Sequence, residues 1–326
     1  MKVFITGSNG LVGYSLRSVI QNIFEKSKSI PDIEYVFSAR TDLDLMNEHA
    51  VNSRFEQERP DIVVHLASRV GGLFDNIENN YTMLTTNSRL NMNIIEACKK
   101  YNVKCLINVL STCIFPANAK HPLRSKNIYD GESHSSNRGY AMSKQLLHTA
   151  SKILSKTTDT KVINLIPTNL YGTHDNYNIK TGHVIPALIN KILIAKRECS
   201  SLFVSGDGKD IRQFLHAEDL SRVIVEFIKK FKSGKLDSFT DCIVSPPKNK
   251  RITIKGLVEL LCHTMGYDGD VVYVPNDKNI TGQKSKISDD KELRKHFKDF
   301  QLTPLKEGLK RTCDYVMSVD PNILRR

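Results

Sequence analysis

No two of the chain's seven cysteines form a Cys-x-x-Cys pair, and their number is odd. Scattered as Cys98, Cys105, Cys113, Cys199, Cys242, Cys262 and Cys313, they offer neither a disulfide framework nor a zinc site. Reduced thiols in the cytoplasm, and no bound metal, are the expectation. No run of 18 apolar residues occurs, which excludes a membrane-spanning helix. Met1-Lys2-Val3-Phe4-Ile5-Thr6-Gly7 enters a strand directly, without the layout of a signal peptide. Internal repeats and low-complexity segments are also lacking. Tryptophan is absent altogether, so no indole is available to stack on a base.

The 326 residues carry a formal charge of +12, which raises nucleic acid as a partner. However, the basic residues are mixed with acids, as in Lys286 to Lys298, where Asp289, Asp290 and Glu292 intervene. There is no zinc-finger spacing, no RNP-like motif and no basic tail. Nucleic acid is therefore not expected, whereas small anions are. Hydrophobic residues at 40% and charged residues at 25% are ordinary for a globular chain with a full core.

What is present is an alternation of strands and helices. Lys2–Thr6 is apolar and β-branched. Gly7, Gly10 and Gly13 then give Gly-x-x-Gly-x-x-Gly at the start of a helix running to about Lys28. Such a turn lets backbone N–H groups and the helix N-terminus approach a pyrophosphate. Tyr35–Ala39, Asp61–Leu66, Cys105–Leu110 and Lys161–Ile166 read as further strands. Helices are expected at Glu48–Glu58, Asn80–Lys100 and about Tyr140–Ser155. This spacing predicts an α/β, Rossmann-type doubly wound parallel sheet.

After Pro167 the pattern changes. Residues 167–172 read as a loop, and helices follow near Val184–Lys196, Asp219–Lys230, Thr253–Met265 and Pro304–Met317, with a short strand at Val271–Val274. Thr303 and Pro304 suit an N-cap and a first-turn proline. The expected division is a dinucleotide-binding domain of residues 1–170 and about 213–244. A smaller mixed α/β substrate lobe would hold about 171–212 and 245–326.

Tyr140 and Lys144 lie four apart on a predicted helix, placing a phenol beside an ammonium that would favour the phenolate. Ser111-Thr112-Cys113 follows a strand end, where open sheets meet ligand. If the chain stays extended there, Ser111 and Cys113 share one side. His183 starts a helix and is a candidate acid or base. A thiol and an imidazole on opposite faces of a sugar can remove and return a proton beside a ketone, and a tyrosine with a nicotinamide hydride can reduce that ketone. Arg40, at the end of the second strand, suits a 2′-phosphate and so NADPH, although Asp42 close by fits a bare ribose.

The glycine turn, Ser111 and Tyr140-x-x-x-Lys144 resemble the extended short-chain dehydrogenase/reductase superfamily. Three further stretches narrow the resemblance: Val70-Gly71-Gly72-Leu73-Phe74, Ser111-Thr112-Cys113-Ile114-Phe115-Pro116, and Pro167 to Tyr177 leading into Gly182-His183-Val184-Ile185-Pro186. They resemble the GDP-L-fucose synthase family, the GDP-4-keto-6-deoxy-D-mannose 3,5-epimerase-4-reductases, from Lys2 to about Met317.

The resemblance implies NADPH as cofactor. It would be held by Gly7, Gly10, Leu11, Val12, Gly13, Arg40, Leu66, Ala67, Pro167, Asn169, Leu170 and His183, with Tyr140 and Lys144. It implies that Tyr140, assisted by Ser111, protonates the C4 oxygen and that Lys144 lowers the phenol and holds the nicotinamide ribose. Cys113 and His183 would be the acid/base pair at C3 and C5. Ser111 and Asn169 would lie at the sugar, and Lys191, Arg212 and Lys286 at the nucleotide of a GDP-sugar. A homodimer through a bundle of the two long helices is also implied.

The chain departs from the family at Ser205, where relatives commonly have Trp beside the base, and at Asn9, where some have Arg for the 2′-phosphate. The competing readings are a nucleotide-sugar 4-epimerase or dehydratase of the same superfamily, which needs no such thiol/imidazole pair, and a non-catalytic dinucleotide-binding protein.

Overall fold

A computed structural model describes residues 1–27, 32–275, 282–319 and 324. Its first half is β1 (Lys2–Thr6), α1 (Leu11–Ser27), β2 (Glu34–Ser38), α2 (Glu48–Glu58), β3 (Ile62–His65), α3 (Leu73–Glu78), α4 (Asn80–Lys100), β4 (Cys105–Val109), α5 (Arg138–Thr157) and β5 (Lys161–Pro167). Lys28, the expected end of the first helix, lies outside the described residues. The second half is β6 (Asn169–Tyr171), α6 (Val184–Glu198), β7 (Leu202–Ser205), β8 (Ile211–Arg212), β9 (Phe214–His216), α7 (Ala217–Lys232), β10 (Phe239–Val244), β11 (Ile252–Thr253), α8 (Ile254–Met265), β12 (Val271–Val274), α9 (Lys291–His296) and α10 (Leu305–Ser318).

Six strands form one parallel sheet in the order β10-β5-β4-β3-β1-β2. Helices cover both faces, which is why the inner strands read as near-continuous apolar runs. Alternation along each strand divides the core. Val3, Ile5, Ile62 and Val64 pack with Leu16 of α1 and Leu220, Ile224 and Phe227 of α7. Phe4 and Val63 point the other way, into a cluster with Phe55 of α2, Ile94 of α4 and Leu147 of α5. A third cluster joins Ile189 of α6, Leu202 of β7, Leu261 of α8 and Leu309 of α10.

Strand order reverses between β1 and β3, and ligands of open α/β sheets bind outside the strand C-termini at such a point. The residues that follow β1 and β3 meet there. A Cβ on Gly7 would stand 2.7 Å from the backbone nitrogen of Ala67.

Two expectations need correcting. The 167–172 segment is not all loop, because Asn169–Tyr171 forms β6, paired in parallel with β9. Three residues are too short to show a strand period, and the pairing partner lies more than forty residues on. Thr303 does not cap the last helix. Pro304 holds the N-cap position with an extended ψ of 139°, and the Thr303 hydroxyl and amide instead donate to the buried Asp219 carboxylate at 2.8 and 2.7 Å. A charged acceptor that must be satisfied inside the protein outcompetes a solvent-exposed helix end.

Candidate active site

The glycine turn is built for close approach. Gly7 adopts φ 70°, a left-handed conformation that favours glycine. A Cβ on Gly13 would fall 2.4 Å from the Ser8 carbonyl oxygen, so only hydrogen lets α1 start this close to the turn. The first turn of α1 has no acidic residue, and its unpaired N–H groups are left for an anion. At the end of β2, the Ala39 amide donates to Asp42 Oδ2 at 2.8 Å. Asp42 thus closes the turn, while Arg40 beside it is exposed. These residues fit a dinucleotide with an extra phosphate.

α5 carries Tyr140 and Lys144 on one face. Lys144 is buried, and its ammonium donates to the Val109 carbonyl at the end of β4 at 2.9 Å. Burial brings this ammonium down to about 8. It lies 5.8 Å from the Tyr140 ring centre. The expectation of a phenol lowered by its lysine is not met in this state. Burial pushes Tyr140 up, and the Cys113 sulfur adds to the rise, while the hydroxyls of Ser68 and Ser111 pull it back. Desolvation of the charged form outweighs a cation that is engaged elsewhere.

The chain does not stay extended beyond Ser111. Residues 112–114 turn into a short 3₁₀ segment, and Ser111 Oγ accepts from the Cys113 amide at 3.2 Å. Ser111 and Cys113 still share the cleft, while Thr112 is buried. Cys113 is half-buried, and Lys286 donates to its sulfur at 3.2 Å. Burial alone would raise this thiol, but the Lys286 ammonium, the Ser111 hydroxyl and Arg212 together bring it below the usual thiol value.

Arg212 of β8 donates to Asp210 Oδ2 at 3.2 Å and to the Lys284 carbonyl. Asn169 donates to the Gln213 carbonyl at 2.9 Å. Lys191 of α6 donates to the Phe203 carbonyl at 3.0 Å, and burial lowers its ammonium. Ser205 is exposed on β7. His183 is the exposed N-cap of α6 and makes no side-chain capping bond. Its loop is tied to the 70–72 segment by the Gly72 amide, which donates to the Thr181 carbonyl at 2.8 Å.

Residues 3–239 match the NAD dependent epimerase/dehydratase family. The chain belongs to that family. A GDP-L-fucose synthase of Dictyostelium discoideum is 32% identical over 313 residues, covering 96% of this chain and 94% of the relative. A GDP-L-colitose synthase of Yersinia pseudotuberculosis is 28% identical over 99% of this chain and 100% of its own. Among solved structures, the GDP-L-fucose synthetase of Naegleria fowleri bound to NADP superposes with a TM-score of 0.86. It is 27% identical, and the match covers 100% of this chain and 95% of that one.

Two residues of this family member's cleft escaped the sequence reading. Ser68, three residues past β3, faces the Tyr140 phenol and also donates to Asn87 Oδ1 at 3.0 Å. Its place just after a strand C-terminus is the signal that singled out Ser111. His134 is half-buried where Lys286 and Arg212 add to the lowering that burial begins, and it lies in a loop with no sequence signal. Among the described residues no group of His, Cys, Asp or Glu could hold a metal ion, and no helix is long and apolar enough to cross a membrane.

Proposed function

We propose that this chain converts GDP-4-keto-6-deoxy-D-mannose to GDP-L-fucose, by epimerisation at C3 and C5 followed by NADPH-dependent reduction at C4. The observation that carries this reading is the cleft itself. A lowered thiol, Cys113, stands beside Ser111 and Tyr140 in a chain matched over almost its full length by a GDP-L-fucose synthase. A 4-epimerase or dehydratase of the same family needs no thiol/imidazole pair such as Cys113 and His183.

Residues 1–170 and about 213–244 hold the dinucleotide, and about 171–212 and 245–326 hold the GDP-sugar. The 4-ketone acidifies the C–H bonds at C3 and C5. Cys113 and His183 exchange protons there from opposite faces, and the electron pair of each broken C–H bond rests on the C4 oxygen until a proton returns to carbon. Ser111 and Tyr140 donate to that oxygen, and Tyr140 protonates it in the reduction. NADPH, when bound at the glycine turn with Arg40 at its 2′-phosphate, supplies the hydride. Lys144 holds the nicotinamide ribose, Asn169 lies near the sugar, and Lys191 and Arg212 face the nucleotide diphosphate, whereas Lys286, which the resemblance also put there, donates to the Cys113 sulfur.

Incubation with GDP-4-keto-6-deoxymannose and NADPH in heavy water tests this. NADPH absorbance should fall, with deuterium at both C3 and C5 of the product. Oxidation without isotope uptake would leave a plain 4-reductase, and no oxidation would favour an epimerase or a silent binder. Tyr140→Phe should mainly block reduction, whereas Cys113→Ser should largely abolish exchange.

The reading extends to a cytoplasmic homodimer. Exposed Met142, Leu146 and Ile153 on α5 and Tyr81 on α4 give the paired long helices an apolar outer face that a second copy would cover. Light scattering at micromolar concentration should give twice the chain mass, and a monomer would refute the dimer.

A further inference from the structure

The segment that carries Lys286 is built into the protein more firmly than a surface lysine requires. The Leu123 amide donates to the Ile287 carbonyl at 2.9 Å, and the Arg124 guanidinium grips Asp289 through two hydrogen bonds of 2.5 and 2.7 Å. The Ser288 amide donates at 2.7 Å to Oε1 of Gln213, which is fully buried. The Ile211 amide donates to the Lys284 carbonyl at 3.0 Å, aligning this segment with the strand of Arg212. These ties fix the backbone on both sides of Lys286, and the ammonium at its centre meets Cys113 Sγ at 3.2 Å.

The charged and titratable groups around the sulfur come from four parts of the chain. Lys286 and Arg212 are cationic, and Asp210 offsets Arg212. Tyr140 faces the sulfur from α5, and His134 stands near the two cations from its loop. Arg212 is paired with the Asp210 carboxylate, and Lys286 is the cation in direct contact with the sulfur. A thiolate is the competent base and nucleophile, and a neighbouring ammonium favours it.

We propose that Lys286 is the counter-charge that favours the thiolate of Cys113, a positioning residue that acts through the sulfur. Cys113 in that form takes the proton from carbon and becomes a thiol, and the C–H electron pair passes toward the C4 oxygen. The use of the thiolate in this step rests on the reaction proposed above, whereas the ionisation itself does not.

The test measures the ionisation alone. In the full chain carrying Cys199→Ser, which removes the exposed thiol, the rate of Cys113 alkylation by iodoacetamide is followed by peptide mass spectrometry from pH 5 to 10. The midpoint should lie below the ordinary thiol value of about 8.5. Lys286→Met should raise it by about one unit or more, slowing alkylation at pH 7 roughly tenfold, because each unit is a factor of ten in thiolate. Lys286→Arg should restore it. The thiolate ultraviolet absorbance of the parent and of Lys286→Gln gives the same midpoints if Lys286→Met does not fold.

Equal midpoints in the parent and the uncharged variants would overturn the proposal, as would an Arg variant that behaves like Met. In the heavy-water assay the acid limb of isotope exchange should shift upward with the alkylation midpoint. Shifted alkylation in a protein that never exchanges deuterium would uphold the role of Lys286 and sink the epimerase reading instead.

Discussion

Replacing His65 by leucine probes the frame on which the cleft is hung. His65 ends β3, is fully buried, and is lowered to about 3 by burial, with the Lys144 charge adding to the effect. Its Nδ1 meets the Thr6 hydroxyl at 2.9 Å and its Nε2 meets Asn91 Oδ1 at 3.0 Å. Thr6 Oγ1 accepts from the Ala67 amide, and Asn91 donates to the Ser143 carbonyl of α5. A neutral ring accepting at Nδ1 and donating at Nε2 thus connects the ends of β1 and β3 to the helix of Tyr140 and Lys144.

Leucine removes both bonds and leaves two buried polar partners, each costing about 1–3 kcal/mol. The expected loss at pH 7 is about 3 kcal/mol. The pH dependence has a definite sign. The folded pKa is below the unfolded one, near 6.5, so between those values the unfolded chain binds more protons and stability falls as pH falls. From pH 7 to pH 5 that linkage costs the parent about 2 kcal/mol, and the leucine variant escapes it. Urea unfolding at both pH values should therefore show the gap between parent and variant shrinking from about 3 to about 1 kcal/mol. Other titrations cancel in the difference. A gap equal at pH 7 and pH 5 would refute a neutral, buried His65.

Arg40→Ala should raise the KM for NADPH about tenfold, the effect of losing one charge-assisted bond of about 1.5 kcal/mol, with the KM for NADH unchanged; equal effects on both would remove Arg40 from the 2′-phosphate. Lys144, lowered to about 8, keeps its cation below that pH and loses it above. Reduction measured by NADPH absorbance should therefore decline as pH rises through 8 in the parent. A rate that climbs steadily to pH 10 would contradict a catalytic need for the ammonium.

The sheet was legible in the sequence because strands covered on both faces are nearly continuous apolar runs, as in residues 62–64 and 105–107. The glycine turn was legible because Gly7 and Gly13 stand where no Cβ fits. β10 was not, because Asp241 interrupts its apolar run. That carboxylate accepts from His148 and Asn164, each at 3.0 Å, and only the folded contact makes it tolerable inside a sheet. The partnership of Lys286 with Cys113 spans 173 positions. It is fixed by loop-to-loop backbone bonds, which leave no period in the residues themselves.

The sequence placed Tyr140 beside Lys144 and expected a phenol ready to ionise, yet the structure separates two groups by environment instead. Tyr140 is pushed up by burial and by the sulfur facing it, and Cys113 is brought below its usual value by Lys286, Ser111 and Arg212 against the effect of burial. Environments that drive neighbouring titratable groups apart assign an acid and a base. The phenol remains a proton donor at neutral pH, and the sulfur favours the proton-accepting form. Their interaction is reciprocal: when the thiolate takes a proton from carbon, the charge that helped to hold the phenol up disappears, and Tyr140 gives up its proton more readily. In the proposed reaction that order is useful, because the proton is released to the C4 oxygen after the thiolate has been consumed at the neighbouring carbon.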